Sequence, residues 1–147
     1  MIFYTDGSAR NNPGKGAFAW VNFTIGKQYV SRTYQKVTNN QMELKALIAV
    51  LQYTIFLLKS KIKSKFNKVI VYTDSRYVEL GFKFWMLSWD KKKINKVKNS
   101  KLWKLLLILR EMLIKVNCEC DIVWIKGHSS SLGNTIAHNL CWKRSGM

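Results

Sequence analysis

Twice in this chain an apolar, β-branched stretch runs directly into an aspartate flanked by threonine and a small residue. Ile2 to Thr5 leads to Asp6 in Thr5-Asp6-Gly7-Ser8, and Lys68 to Thr73 leads to Asp74 in Thr73-Asp74-Ser75. Branched and aromatic side chains favour a pleated, half-buried backbone, whereas Gly and Ser favour turns, so each stretch reads as a strand that ends at its acid. Between them, TNNQMELKALIAVL over Thr38 to Leu51 reads as a helix. Thr38 or Asn39 is its cap, and Gln41 can close a capping box on Thr38. A strand, a helix and a second strand make a crossover that leaves the two strands as parallel neighbours. Parallel neighbours end on the same side, so Asp6 and Asp74 are expected together. Glu43 sits between Met42 and Leu44, a charge in an apolar run that needs a partner, and the helix packed across the strands brings it to the same place.

The remaining segments complete an α/β reading. Ala17 to Phe23 and Gln28 to Tyr34, joined around Gly26-Lys27, look like a hairpin added to the first strand. With Lys68 to Thr73 and Asp121 to Lys126 this predicts a five-stranded mixed sheet, three strands antiparallel and two parallel, flanked by helices. Helices are expected over about Asn40 to Leu58, over Ser75 to Trp89 as two pieces broken at Gly81, over Ser100 to Asn117, and from near Asn134 through Trp142. A chain of 147 residues fits one domain spanning 1–147. Cys118, Cys120 and Cys141 are odd in number and form no C-x-x-C pair, which argues for reduced thiols and against zinc. No apolar run approaches the roughly 18 residues of a membrane span, so a cytoplasmic chain without a membrane partner is expected.

Charge narrows the partner. The formal net charge is +17, and residues 59–117 carry sixteen basic and four acidic groups. Such a field attracts a polyanion. Within this region Trp85 and Trp89 precede Lys91-Lys92-Lys93, and aromatics beside a lysine cluster can stack on sugars and neutralise phosphates. Ala9 to Gly16, ARNNPGKG, reads as tight turns that either join two strands or present N–H groups and Asn amides to a ribose or phosphate. Three carboxylates at one place repel each other, by about 4 kcal/mol for two charges 4 Å apart at an effective dielectric of 20. A cation or protons must offset this. Oxygen ligands favour magnesium or manganese, and two such ions are the usual device for in-line attack on a phosphodiester.

These residues also resemble a known family, the type 1 ribonucleases H. The resemblance is carried by T-D-G-S at Thr5 to Ser8, N-P-G at Asn12 to Gly14, T-N-N-Q-M-E at Thr38 to Glu43, T-D-S-R-Y at Thr73 to Tyr77 and I-K-G-H at Ile125 to His128, in the family's order along nearly the whole chain. It implies a ribonuclease H-like fold and an endonuclease that cuts the RNA strand of an RNA/DNA hybrid with Mg2+, or Mn2+, as a monomer. It assigns the metals to Asp6, Glu43 and Asp74, with Asp6 bridging. It places Asn12 and Asn40 on the 2'-hydroxyl side with Thr38, and puts Trp85 and the lysines Lys91, Lys92 and Lys93 on the DNA strand, with Trp89 kept as a nucleic-acid contact by its place beside them. His128 has an auxiliary part in proton movement or product departure. The family's fourth carboxylate, in G-N-x-x-x-D, is His138 here, either a metal ligand or a neighbour of the ligands. Other readings are a hybrid-binding module without catalysis and a strand-transfer or junction-resolving nuclease of the same fold. The N-P-G and T-N-N-Q-M-E motifs and the retained carboxylates favour the hybrid-cutting enzyme.

Overall fold

A computed structural model describes residues 1–60, 66–127 and 131–147. Its centre is a mixed sheet of strands β1 (Ile2–Ala9), β2 (Gly14–Asn22), β3 (Lys27–Val30), β4 (Tyr34–Val37), β5 (Lys68–Thr73) and β6 (Glu119–Trp124). The order is β3-β2-β1-β5-β6, with β4 paired separately to β2. β1 pairs antiparallel with β2 and parallel with β5, and β5 pairs parallel with β6. The expected five strands are thus joined by a sixth. Gln28 to Tyr34 is not one strand, because Ser31 turns inward, accepting from the Phe18 N–H through its hydroxyl while its own N–H donates to the Phe18 carbonyl. After that break β4 returns to β2 nearer the functional end.

Other boundaries differ from expectation: β2 begins at Gly14 instead of Ala17, and β6 covers Glu119–Trp124 instead of Asp121 to Lys126. β1 does not end at Thr5 but continues through Asp6, Gly7 and Ser8, which face Ala19, Phe18 and Ala17 of β2. A long antiparallel partner overrides the turn preference of Gly and Ser. Gly81 does not break the helical stretch: α2 (Arg76–Leu80), a π-helical turn (Gly81–Trp85) and α3 (Met86–Ser88) run on without interruption. The glycine is there for space, since a Cβ at Gly81 would run into the Trp103 ring.

The first face of the sheet is covered by α1 (Asn39–Lys59) and, beyond it, α5 (Ser100–Lys115). Thr38 caps α1 through a capping box with Gln41, as the sequence predicts. Phe3, Leu44, Leu47, Leu51, Val71, Trp103, Leu106 and Ile122 are among the buried residues of this core. By length and composition α1 could cross a membrane, contrary to the sequence expectation. Its ten buried residues instead pack between sheet and helix. The second face carries α6 (Leu132–Ser145), laid over β1 and β2. This helix is longer than expected at both ends, and its Gly133 lets it seat on the Tyr4 ring, where any Cβ would overlap. α4 (Lys91–Ile94) is a short turn capped by Asp90.

Candidate active site

The parallel register of β1 and β5 sets Thr5 opposite Thr73, so Asp6 and Asp74 emerge side by side as the sequence predicts. Side chains alternate along a strand, which turns Thr5 and Thr73 toward α1 and Asp6 and Asp74 toward α6. On α6, Asn134 and His138 are four residues apart and therefore share a helix face. Asn134 Nδ2 donates to Asp74 Oδ2 at 3.4 Å, and His138 Nδ1 lies 3.3 Å from Asp6 Oδ2. The Cys141 thiol, one turn on, donates to the Asp6 carbonyl at 3.2 Å. Trp124 Nε1 donates to the Asp74 carbonyl at 3.1 Å, and Gly127 approaches so closely that a Cβ there would meet Asp74 Oδ2 at 3.3 Å.

Glu43 arrives from the opposite side, in the second turn of α1. β5 ends opposite Thr5, which leaves the Gly7 N–H without a strand partner on that side, and it donates to Glu43 Oε1 at 2.6 Å. A buried donor of this kind must be satisfied. Thr73 Oγ1 donates to Glu43 Oε2 at 3.4 Å. Asp6, Glu43 and Asp74 each offer one oxygen, all within 4.8 Å of one another. Asp6 and Glu43 are 3% and 6% exposed, so water screens their charges poorly. Burial, then the charges of Asp6 and Asp74, push the Glu43 carboxyl well above its usual range, against the stabilising Gly7 N–H. His138 is also raised, first by its hydrogen bond to Asp6, with partial burial opposing.

Around this cluster the other candidates divide. Asn12 and Asn40 are exposed on one rim, and Asn39, which the sequence offers only as an alternative helix cap, ties it together. Its N–H donates to Asn12 Oδ1 at 2.9 Å, and its own Oδ1 accepts from the Ala9 N–H at 2.6 Å. The Thr38 hydroxyl is engaged as the helix cap, accepting from the Gln41 N–H at 3.1 Å. Trp85 is exposed and edge-on to Tyr77, whereas Trp89 is half-buried and edge-on to the core ring of Trp103. Lys91, Lys92 and Lys93 are exposed on α4. His128 lies outside the described residues.

The basic surface is not confined to the middle of the chain. A cleft of about 650 Å³ between β4, α1 and the start of α5 gathers Arg32, Lys36, Lys45 and Lys101 around Tyr34. The Arg32 guanidinium lies 4.0 Å over that ring and Lys45 Nζ 4.9 Å from its centre. Three of these cations come from the first third of the sequence, where their spacing gives no sign of a cluster.

A mixed sheet in this order, with acids gathered where the parallel pairing of β1 and β5 stops, is the build of a polynucleotide hydrolase. The profile of the RNase H family matches residues 1–145. The chain is 36% identical over 148 residues to Ribonuclease H of Ruthia magnifica subsp. Calyptogena magnifica, spanning 95% of this chain and 91% of that protein. It is 37% identical over 145 residues to Ribonuclease H of Orientia tsutsugamushi (strain Boryong), spanning 93% and 77%. Among solved structures, RNase H1 from the halophilic archaeon Halobacterium salinarum superposes with a TM-score of 0.65 at 25% identity, covering 97% of this chain and 95% of that one. The chain belongs to the RNase H family, hydrolytic endoribonucleases that cut the RNA strand of RNA/DNA hybrids, and this is its activity.

Proposed function

We propose that Asp6, Glu43 and Asp74 hold the divalent metal on which this hydrolysis depends, with His138 as the fourth member of the site. The observation that carries this reading is the convergence of three carboxylate oxygens within 4.8 Å. Such a set is stable only with protons or cations, and burial beside the charges of Asp6 and Asp74 accordingly raises the Glu43 carboxyl. All three donors are hard oxygens, which fits Mg2+, with Mn2+ favoured further if His138 supplies a nitrogen. When bound, metal in such a site polarises the phosphoryl group and offsets charge developing on the attacking and leaving oxygens.

The protein's own residues supply the rest. Gly7 and Thr73 fix both oxygens of Glu43, and Asn134 fixes Asp74, so the ligands are held before substrate arrives. His138 Nδ1 stands 3.3 Å from Asp6 Oδ2, a contact that raises the pKa of the ring. His128 is assigned an auxiliary role in proton movement or product departure. Asn12 and Asn40, on the rim above the acids, suit the 2'-hydroxyls that distinguish RNA from DNA, with Thr38 at the same helix start. The DNA strand then runs toward Trp85, Trp89 and Lys91 to Lys93, and the cleft around Tyr34 takes one of its phosphates. We assign the activity to a single domain over 1–147, working as a monomer in the cytoplasm; the free thiols of Cys118, Cys120 and Cys141 fit a reducing compartment.

The test is a labelled RNA/DNA hybrid incubated with the protein in magnesium and then manganese, beside RNA/RNA and DNA/DNA duplexes. Cleavage of the hybrid's RNA strand alone, abolished by chelator and by Asp6→Asn, is expected. Hydrolysis that persists in Asp6→Asn would remove the site assignment.

A further inference from the structure

We propose that Arg10 is a positioning residue for the reaction, clamping the end of α6 so that His138 stands against Asp6; this rests on the assignment of His138 to the site. Arg10 follows β1 directly and lies two residues before Asn12. Its guanidinium lies 3.7 Å over the Trp142 indole. Nη2 donates to the Trp142 carbonyl at 2.6 Å and Nε donates to the Ser145 hydroxyl at 3.1 Å. Ser145 is fully buried, and Gly146 passes so near that a Cβ there would stand 2.9 Å from Arg10 Nη2. One side chain from the first strand's exit thus grips the last turn of the last helix.

Trp142 transmits this grip. It lies one helical turn beyond His138, and the two rings run nearly parallel, 14° between planes with centroids 6.4 Å apart. The indole is 49% exposed, so core packing alone does not fix it. A guanidinium does so well, because its planar fork is pre-organised and can stack and donate at once, which an ammonium cannot. The contacts Arg10, Trp142, His138 and Asp6 close a ring whose two ends sit four residues apart on β1 and its exit. The distance from His138 to the acid is therefore set from the same rigid strand that carries the acid. Because Arg10 also begins the loop of Asn12, the grip fixes the ribose rim relative to the same helix.

The experiment compares the parent, Arg10→Met, His138→Ala and the double variant, by steady-state hydrolysis of the hybrid and by NMR of the histidine rings in metal-free protein. The chain has two histidines, so the His138 signals are those lost in His138→Ala. Arg10→Met should shift the His138 ring signals and lower kcat about fivefold with KM little changed, as misplacement of a reacting group does. In the His138→Ala background the same change should cost less than about twofold. Arg10→Lys should recover only part of the loss. If Arg10→Met does not fold, Trp142→Leu carries the same expectations. Unmoved His138 signals, or equal proportional losses in both backgrounds, would mean that Arg10 only ties down the helix and would overturn the proposal. Full activity in His138→Ala would overturn it together with the His138 assignment, while absence of hydrolysis in the parent would instead overturn the functional reading.

Discussion

The backbone N–H of Gly7 donates to Glu43 Oε1 at 2.6 Å, joining the strand that carries Asp6 to the helix that carries the second acid. Contact is this close because Gly7 has no side chain: a Cβ would overlap Met42 and Glu43 backbone atoms of α1. Gly7→Ala should therefore push α1 off the sheet at its first turns. Overpacking of this kind typically costs about 1 to 3 kcal/mol. Hydrolysis should fall by more than stability accounts for, because Glu43 moves with the helix. Urea unfolding and single-turnover cleavage, measured on the same preparation, check both parts; a variant of normal stability and rate would show that α1 accommodates the methyl.

Glu43→Gln tests the electrostatics of the cluster. The folded-state pKa of Glu43 is raised above its usual 4.5, so the fold holds a proton that the unfolded chain releases. Its contribution to stability is then largest below pH 4.5 and declines as pH rises from there toward the folded value. Metal-free protein in chelator should lose stability across that window. Glu43→Gln should lack this decline and at pH 7 be more stable than the parent by on the order of 1 kcal/mol, about 3 °C in Tm for a chain of this size. Its hydrolytic activity should be gone. A metal-free parent as stable as the variant at pH 7 would mean that the three acids do not repel in the folded state.

Which of these relationships can be read from sequence depends on how local they are. The acids were legible because a strand ending in Thr-Asp is a short-range pattern, and because a strand, helix, strand order allows one parallel arrangement. Thr38 as a helix cap was legible for the same reason. The true extent of β1 was not, since Gly7 and Ser8 are turn formers that stay extended only because β2 lies opposite. Gly81 misled in the same way, its purpose being the Trp103 ring packed against it. Asn134 was legible only as a helix start within the G-N-x-x-x-D pattern, and Arg10 and the cleft around Tyr34 left no local trace. Arg10 and Trp142, for example, are 132 positions apart, and nothing in either neighbourhood points to the other.

Trp85 and Trp89 look alike in sequence but should behave differently. Trp85 is 38% exposed and is a proposed contact on the DNA strand. Trp85→Ala should weaken hybrid binding by about 1 to 3 kcal/mol with little change in stability. Trp89 presents its edge to Trp103 and is half-buried. Trp89→Ala should cost about 2 kcal/mol of stability, below the roughly 3 to 5 of a fully buried aromatic. Fluorescence-anisotropy titration and thermal melts on both variants separate the two, and equal binding losses with equal melts would refute the distinction.

Lys91, Lys92 and Lys93 project from a single short turn. Hybrid affinity should fall by about 0.7 to 0.9 log unit per log unit of salt for each phosphate neutralised. Replacing all three by Ala should flatten the slope by up to about three contacts and leave the cleavage rate at saturation nearly unchanged. An unaltered slope would place the phosphate contacts elsewhere, first in the cleft lined by Arg32, Lys36, Lys45 and Lys101.

His138 is where this chain departs from the family pattern read in its sequence, and it stands 3.3 Å from Asp6, facing the carboxylate cluster. An imidazole brings no negative charge to the proposed metal site, so magnesium should be held less tightly than by four carboxylates. Manganese accepts nitrogen more readily and should need a lower concentration. His138→Asp should therefore lower the magnesium concentration for half-maximal hydrolysis severalfold and narrow the advantage of manganese, since each tenfold change in affinity is about 1.4 kcal/mol of added attraction. The same substitution places a fourth acid beside Asp6, so the metal-free variant should melt below the parent and recover more on addition of magnesium. Paired metal titrations, followed by both rate and Tm, test this. Superimposable magnesium curves for parent and variant would mean that the side chain at 138 faces the acids without influencing what they bind.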